Sequence, residues 1–269
     1  TNEMATLYEA HLNGTVAAMP ELPIQYGDYS AWQIQSLEVQ HAQQQLTYWE
    51  ERLKDAPPLL ELPLDRPRPS EQSLRGATRT FPLSSEVLAA VAKLATRVQA
   101  TPFMLLLAAF KLLLYRYSGE PDVLVGVPVA GRNHVEAESL IGFFVDTVVV
   151  RDDLSGNPRF VDLVAQVRET TLGALAHAEV PFEKVVEVLQ PARNLSYNPI
   201  FQVMFSAMKS PVASRDFGNL SVYPYVVDSS TSLFDLNVTL VEWIAGKSWI
   251  QIDYNADLFD GSTIERMQQ

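Results

Sequence analysis

The stretch from Leu140 to Arg151 reads LIGFFVDTVVVR, an apolar, β-branched run interrupted by one acid, Asp146. Withdrawing a carboxylate from water into such a segment is costly unless it is paired, hydrogen-bonded or protonated. Asp146 therefore demands backbone N–H partners, an arginine, or a position facing a ligand. Other chemistry-bearing types are sparse. The four histidines, His11, His41, His134 and His177, have no second His or Cys at metal-ligand spacing, so no metal site is expected. His177, near a helix end, reads as a cap or surface residue rather than a base. No G-x-G-x-x-G, G-x-x-x-x-G-K-[ST] or G-x-S-x-G occurs. The chain thus announces neither a phosphate-cradling loop nor a hydrolase elbow.

Composition narrows the classes further. Cysteine is absent, which excludes disulfides, thiolate metal sites and a cysteine nucleophile and fits a reducing, cytoplasmic setting. Twenty basic against 32 acidic residues leave a formal charge of -12. Such a surface repels nucleic-acid phosphates and anionic lipid. No apolar run reaches the roughly 18 residues needed to span a bilayer.

The elements that must position Asp146 are legible in outline. Residues 1–13 read as a helix already under way, as if the sequence begins inside a larger protein. A second helical pattern runs from Tyr29 to about Leu53, with Leu46, Trp49 and Leu53 on one stripe. Five prolines in PPLLELPLDRPRP make an extended crossing. The domain division expected is a helical lead-in and Pro-rich crossing over 1–70, then an α/β lobe over 71–269. GATRTFPL reads as a strand, followed by a helix capped by Ser84 or Ser85. The next helix is apolar nearly all round, with Thr101 to cap it, Pro102 in its first turn and Gly119 to close it. DVLVGVPVA and FFVDTVVVRD read as strands covered on both faces. Two helices follow, the second starting at Pro181. NPIFQVMFSAM, LSVYPYVVD, LFDLNVTLVEW and SWIQIDYNAD then read as strands, some alternating and antiparallel. The last helix opens at Ser262 with Glu265 at capping-box spacing. About seven strands and six or seven helices make a mixed α/β protein.

Four stretches in order carry a resemblance: YGDYSAWQ (Tyr26–Gln33), LIGFFVDTVVVR, HAEVPFEKVVE (His177–Glu187) and ARNLSYNPIFQVMF (Ala192–Phe205). They resemble the later motifs of condensation domains of nonribosomal peptide synthetases, as do LPLDRPRP and DYNADLFDGSTIERM. The resemblance implies a chloramphenicol-acetyltransferase-like fold, here a mixed sheet flanked by helices. It implies a tunnel between two lobes in which peptide bonds form between carrier-protein-bound thioesters. The substrates arrive on phosphopantetheine arms, no cofactor is bound directly, and the partners are carrier proteins, the N-terminal catalytic lobe and a neighbouring adenylation domain. The family's H-H-x-x-x-D-G signature does not occur: no two histidines are adjacent, and the lone Asp-Gly pair is Asp260-Gly261. By family spacing the signature falls roughly 15 residues before Thr1. The chain is thus expected to be the C-terminal lobe, with no catalytic residue of its own and no turnover alone.

On this resemblance Arg132 and Asp146 support the active site. Arg132 would pair with the signature's Asp across the lobe junction. The family more often has Asn where Asp146 stands, which argues for shaping or structure over proton transfer. Phe144, Thr147, Asn198, Ser206 and Asn237 are candidates to line the tunnel. Tyr26, Asp28, Trp32, Gly142, Pro181, Phe182, Asn194 and Pro199 hold motif structure, with Tyr29 anchoring its helix. Arg75, Arg79, Arg193 and Lys209 are available for carrier docking. Two alternatives stay open. One is a noncatalytic carrier-protein-binding module; the other is an epimerisation, heterocyclisation or ester-forming relative.

Overall fold

A computed structural model describes residues 2–37, 40–132, 134–209, 215–217, 220–222, 230–242 and 248–268. In chain order the elements are α1 (Asn2–Leu12), α2 (Tyr26–Ser36), α3 (Gln40–Leu53), β1 (Gly76–Leu83), α4 (Ser85–Arg97), α5 (Pro102–Ser118), β2 (Asp122–Ala130) and β3 (Val145–Asp153). They continue with α6 (Phe160–Ala176), α7 (Phe182–Leu189), β4 (Val203–Lys209), β5 (Arg215–Phe217), β6 (Leu220–Val222), β7 (Leu236–Glu242), β8 (Ser248–Asn255) and α8 (Gly261–Gln268). A 3-10 turn covers Val135–Ala137.

Six strands form one mixed sheet in the order β1-β8-β7-β4-β2-β3. The central pairs β2–β4 and β4–β7 are parallel, and the outer pairs are antiparallel. Central helix α5 is punctuated as its sequence predicts. Thr101 Oγ1 accepts the Met104 N–H at 3.2 Å, and Gly119 closes the helix at φ +77°. Its buried face includes Leu107, Ala108, Leu114 and, unusually, Lys111. Lys111 Nζ reaches Asp152 of β3 at 2.6 Å and the Val150 carbonyl at 2.7 Å, while Thr170 of α6 donates to the same carboxylate at 2.9 Å. One buried polar knot thus joins two helices to the sheet.

The helical pattern from Tyr29 to Leu53 is two helices, not one. Asp28 accepts the Gln25 N–H at 2.8 Å and starts α2 at Tyr26, and Ser36 bonds back to the Gln33 carbonyl at the other end. The Pro-rich crossing is packed into the main core through Leu60 and Leu62, alongside Trp49 and Leu53 of α3. Gln202 secures it: Oε1 accepts the Leu60 N–H at 2.9 Å and Nε2 donates to Pro58 at 3.1 Å. Further on, Arg68 grips Asp235 with both terminal nitrogens, and Arg66 reaches Asp260 at 2.6 Å.

The first turn of α8 departs from its predicted capping box. Its cap comes from Asp65 of the crossing, which accepts the Asp260 N–H at 2.8 Å and the Thr263 hydroxyl at 2.9 Å. Glu265 instead faces Arg79 of β1 at 3.4 Å. In the NPIFQVMFSAM segment the strand starts only at Val203, because Ile200 takes a left-handed φ of 73°. The LSVYPYVVD strand is described only as Leu220–Val222; its remainder lies outside the described residues, as does the Lys209 side chain. No single helix among the described residues is long and apolar enough to cross a membrane.

Candidate functional site

Asp146 is the second residue of β3 rather than the middle of a strand, and it is half-buried. Its Oδ1 accepts the N–H of Thr147 at 2.7 Å and of Phe182 at 3.0 Å. The carboxylate therefore fastens the first turn of α7 to the sheet edge, where Pro181 sets the entry. Burial raises its pKa above the ordinary value and the two N–H donors oppose that rise. The rest of the group opens on a cavity of about 310 Å³, lined also by Tyr29, Trp32, His134 and Gln45.

Arg132 lies just past β2. Its Nη1 donates to the carbonyls of Ala137, Glu138 and Leu140, and its guanidinium sits 4.0 Å above the Phe144 ring. Among the described residues it has no carboxylate partner within ion-pair distance. Phe144 is buried in a satellite core with Tyr29, Ala137 and Leu140. Tyr26 packs edge-on against Phe144 and donates to the Phe143 carbonyl at 3.1 Å. Gly142 is required there, because a Cβ would overlap the Tyr26 ring. Tyr29 donates to the Gly131 carbonyl at 3.1 Å, and Trp32 meets His134 edge-on at 4.6 Å. Arg132, Phe144 and the YGDYSAW helix are thus one unit, which holds Ile141, Phe143 and Val145 out in solvent at 83%, 75% and 54% exposure.

His177 is clasped rather than poised. Its ring stacks on Tyr48 with centroids 3.8 Å apart, and Nδ1 lies 2.8 Å from the Gly173 carbonyl. Such a contact fixes Nδ1 as the protonated nitrogen. Asn194 closes a local turn by accepting from Ser196, and Pro199 accepts the Phe201 N–H at 2.9 Å. Asn198 anchors the approach to β7 by donating to the Leu233 carbonyl. Phe182 packs on Phe201 at 5.3 Å. Of the docking arginines, Arg75 pairs with Asp257 at 2.7 Å and Arg79 with Glu265, whereas Arg193 is exposed.

Ser206 and Asn237 come together on one face of the sheet. Strand register aligns Thr78, Asp253, Asn237 and Met204 in one row and Thr80, Gln251, Thr239 and Ser206 in the next. The rows are hydrogen-bonded: Ser206 to Thr239 at 3.0 Å, Thr78 to Asp253 at 2.7 Å, Asn237 to Asp253 at 3.3 Å. Alternate residues, among them Phe205, Leu236, Val238, Leu240, Ile250 and Ile252, face α5 across an apolar cavity of about 290 Å³. A third row on the polar face, Pro82, Trp249, Val241 and Met208, marks the end where β4 and β7 finish. Met208 there is 52% exposed, at the level of exposed Val145 on β3. Thr147 lies two residues further in, opposite Pro128.

Sequence reasoning singled out Ser206 and Asn237 but missed Thr78, Thr239, Gln251 and Asp253. The signal that finds Thr239, Gln251 and Asp253 is alternation in LNVTLVE and SWIQIDYN, where Asn237, Thr239, Gln251, Asp253 and Asn255 recur at every second position; Thr78 and Thr80 take the same spacing in GATRTFPL. The arrangement can present hydrogen-bonding groups to a substrate laid along the sheet. Among the described residues, no three His, Asp or Glu side chains cluster as a metal site.

A model of the condensation domain family matches residues 1–269. One component of the linear gramicidin synthase of Brevibacillus parabrevis is 49% identical over 98% of this chain, which covers 3% of that protein. Phosphinothricin tripeptide synthetase PhsC of Streptomyces viridochromogenes is 39% identical over 98% of this chain and 24% of its own length. The chain therefore spans a small part of the curated relatives it matches. The X-domain from teicoplanin biosynthesis superposes with a TM-score of 0.87 at 30% identity, over 98% of this chain and 62% of that one. A holo four-domain nonribosomal peptide synthetase bound to AMP and glycine gives 0.79 at 27% identity, over 86% and 19%.

Proposed function

The chain belongs to the condensation domain family, whose fold is chloramphenicol-acetyltransferase-like, and on that premise we propose that it forms one wall of a peptide-bond-forming acyltransferase. The substrates are aminoacyl or peptidyl thioesters held on carrier proteins by phosphopantetheine arms. The acceptor's amine nitrogen attacks the donor's thioester carbon, the C–N bond forms, the C–S bond breaks, and the donor thiol leaves with the proton shed by the amine. A lobe bearing the H-H-x-x-x-D-G signature, with the second histidine as base or orienter, is N-terminal to the residues described. An adenylation domain neighbours the whole, and the setting is cytoplasmic.

The observation that carries this reading is the sheet face on which Ser206, Thr239 and Asn237 form hydrogen-bonded rows, next to an end row with exposed Met208. Short polar side chains, Ser206 and Asn237 half-buried and Thr239 buried, suit a cleft wall, while exposed Ile141, Phe143 and Val145 suit contact with a second lobe. Met4, Leu7 and Leu12 of α1 are likewise exposed. Arg132 commits only Nη1 to the 137–140 turn, which leaves Nε and Nη2 for the signature's Asp. Rate enhancement then comes from holding amine and thioester together, with Asp146 fastening α7 at the edge of the sheet that carries the wall. The test joins the histidine-bearing lobe to this chain and follows dipeptidyl thioester formation by mass spectrometry. Product is expected from the joined protein and not from this chain alone. Full turnover with the second histidine replaced leaves that lobe only a binding role.

A noncatalytic carrier-binding module is the second reading, favoured by the clasped geometry of His177 and the lack of adjacent histidines. Titrating a phosphopantetheinylated carrier against the protein joined to its histidine-bearing lobe decides it: binding without turnover in the joined protein is its signature.

A further inference from the structure

Asp253 of β8 occupies the centre of the polar sheet face, and three neutral side chains hold it in place. The Thr78 hydroxyl donates to Oδ1 at 2.7 Å, Gln251 Nε2 lies 3.1 and 3.2 Å from the two oxygens, and Asn237 Nδ2 reaches Oδ2 at 3.3 Å. The donors come from β1, β8 and β7, so the carboxylate is fixed from three sides. No lysine or arginine is aligned with it on this face along β1, β8, β7 and β4. Apart from Asp253 itself, every residue that the register places on the face in those strands is uncharged. Asp253 is half-buried and, among the described residues, has no cation within ion-pair distance.

This differs from an ordinary solvated sheet face. Such faces carry long charged side chains that pair across strands. Here Asp65, Asp122, Asp152, Asp235, Asp257 and Asp260 are each satisfied by a cation or by capped N–H groups. Asp253 is built instead into a network of neutral side-chain donors that orients it without neutralising it. Neutral hydrogen bonds leave the full charge available to a cation that approaches along the face.

We propose that Asp253 is a specificity-determining carboxylate that reads the ammonium group of an amine-bearing substrate. The proposal rests on the cleft reading above and names what the cleft recognises. Two sources share the chemistry: the α-ammonium of an aminoacyl acceptor and a side-chain ammonium further along the acyl chain. Asp253 binds and orients; the nitrogen gives up its proton before attack, and no covalent step is assigned to the carboxylate.

The test uses this chain joined to its histidine-bearing lobe, and three pantetheine analogues in which an amide replaces the thioester. The alanyl analogue carries an α-ammonium, the 6-aminohexanoyl analogue a distal one, and the propionyl analogue neither. Calorimetric titration at pH 7 is expected to show one ammonium form binding about tenfold tighter than the propionyl form, as suits a charge-assisted contact. Whichever form wins identifies the source. Asp253→Asn, which keeps an acceptor for Thr78, is expected to bind all three alike while its thermal melt stays cooperative. Thr78→Val, which frees the carboxylate, is expected to cut the preference a few-fold. Equal binding of all three by the wild type, or a preference that survives Asp253→Asn, overturns the proposal. Failure of every analogue to bind overturns the cleft reading itself, and with it this one.

Discussion

Oδ1 of Asp146 accepts the backbone N–H of Phe182 at 3.0 Å across 36 residues of sequence, so one carboxylate ties the start of β3 to the first turn of α7. A neutral acceptor serves this tie as well. Because burial lifts the Asp146 pKa above 3.8, the folded state holds the proton longer than the unfolded one. Its contribution to stability is complete below the ordinary value and declines as pH rises through the raised one. Asp146→Asn escapes that decline. The melting temperature of the variant minus that of the wild type should therefore rise between pH 3 and pH 7. A flat or falling difference would show that the carboxylate is not strained by burial.

The Lys111–Asp152 pair has both side chains fully buried. Removing either partner leaves an uncompensated charge, and urea unfolding should show a loss of about 3–5 kcal/mol for Lys111→Met or Asp152→Leu alone. The double variant should recover most of that, since two apolar residues leave no charge behind. Thr170 keeps the Val167 carbonyl as a partner at 3.1 Å in every case. Additive losses in the double variant would contradict this account.

Asp65 caps α8 from a distant segment, and its pKa is lowered by the Asp260 N–H first and the Thr263 hydroxyl second. A depressed carboxylate contributes stability above its ordinary pKa and loses it as pH falls. Asp65→Ala should cost about 1 kcal/mol at pH 7, the usual worth of a cap. The cost should shrink toward pH 3. A cost independent of pH would assign the residue a purely packing role.

His177→Ala should destabilise by about 1–2 kcal/mol through loss of the Tyr48 stack and the Gly173 contact. In the joined protein its turnover, measured below the unfolding temperature, should stay within about threefold of wild type, far from the 100-fold or greater loss typical of a removed general base. A large fall in kcat with unchanged stability would make His177 catalytic.

Local signals made much of the fold legible. Thr101, Pro102 and Gly119 mark the ends of α5 in sequence and in structure, and GATRTFPL is β1 residue for residue. What local pattern hides depends on pairing across long separations. Lys111 reads as an interruption of an apolar helix, because Asp152 stands 41 residues away. Local spacing assigns the cap of α8 to its own residues, because Asp65 lies 195 residues before Asp260. Ser206 and Asn237 stand out as polar residues in strands. Their partners Thr239 and Asp253 need the β7–β8 register, which no local pattern supplies. For Arg132 the motif suggests a carboxylate partner in another lobe, but its grip on the 137–140 carbonyls follows from the turn's geometry alone.

The most direct test of the polar sheet face as cleft wall is Ser206→Phe in the protein joined to its histidine-bearing lobe, assayed for dipeptidyl thioester formation. A phenylalanine there projects from the row shared with Thr239 into the space where substrate must lie. The account predicts turnover at least 100-fold below wild type, with carrier binding and the cooperative melt retained. Wild-type turnover with that face obstructed would contradict it.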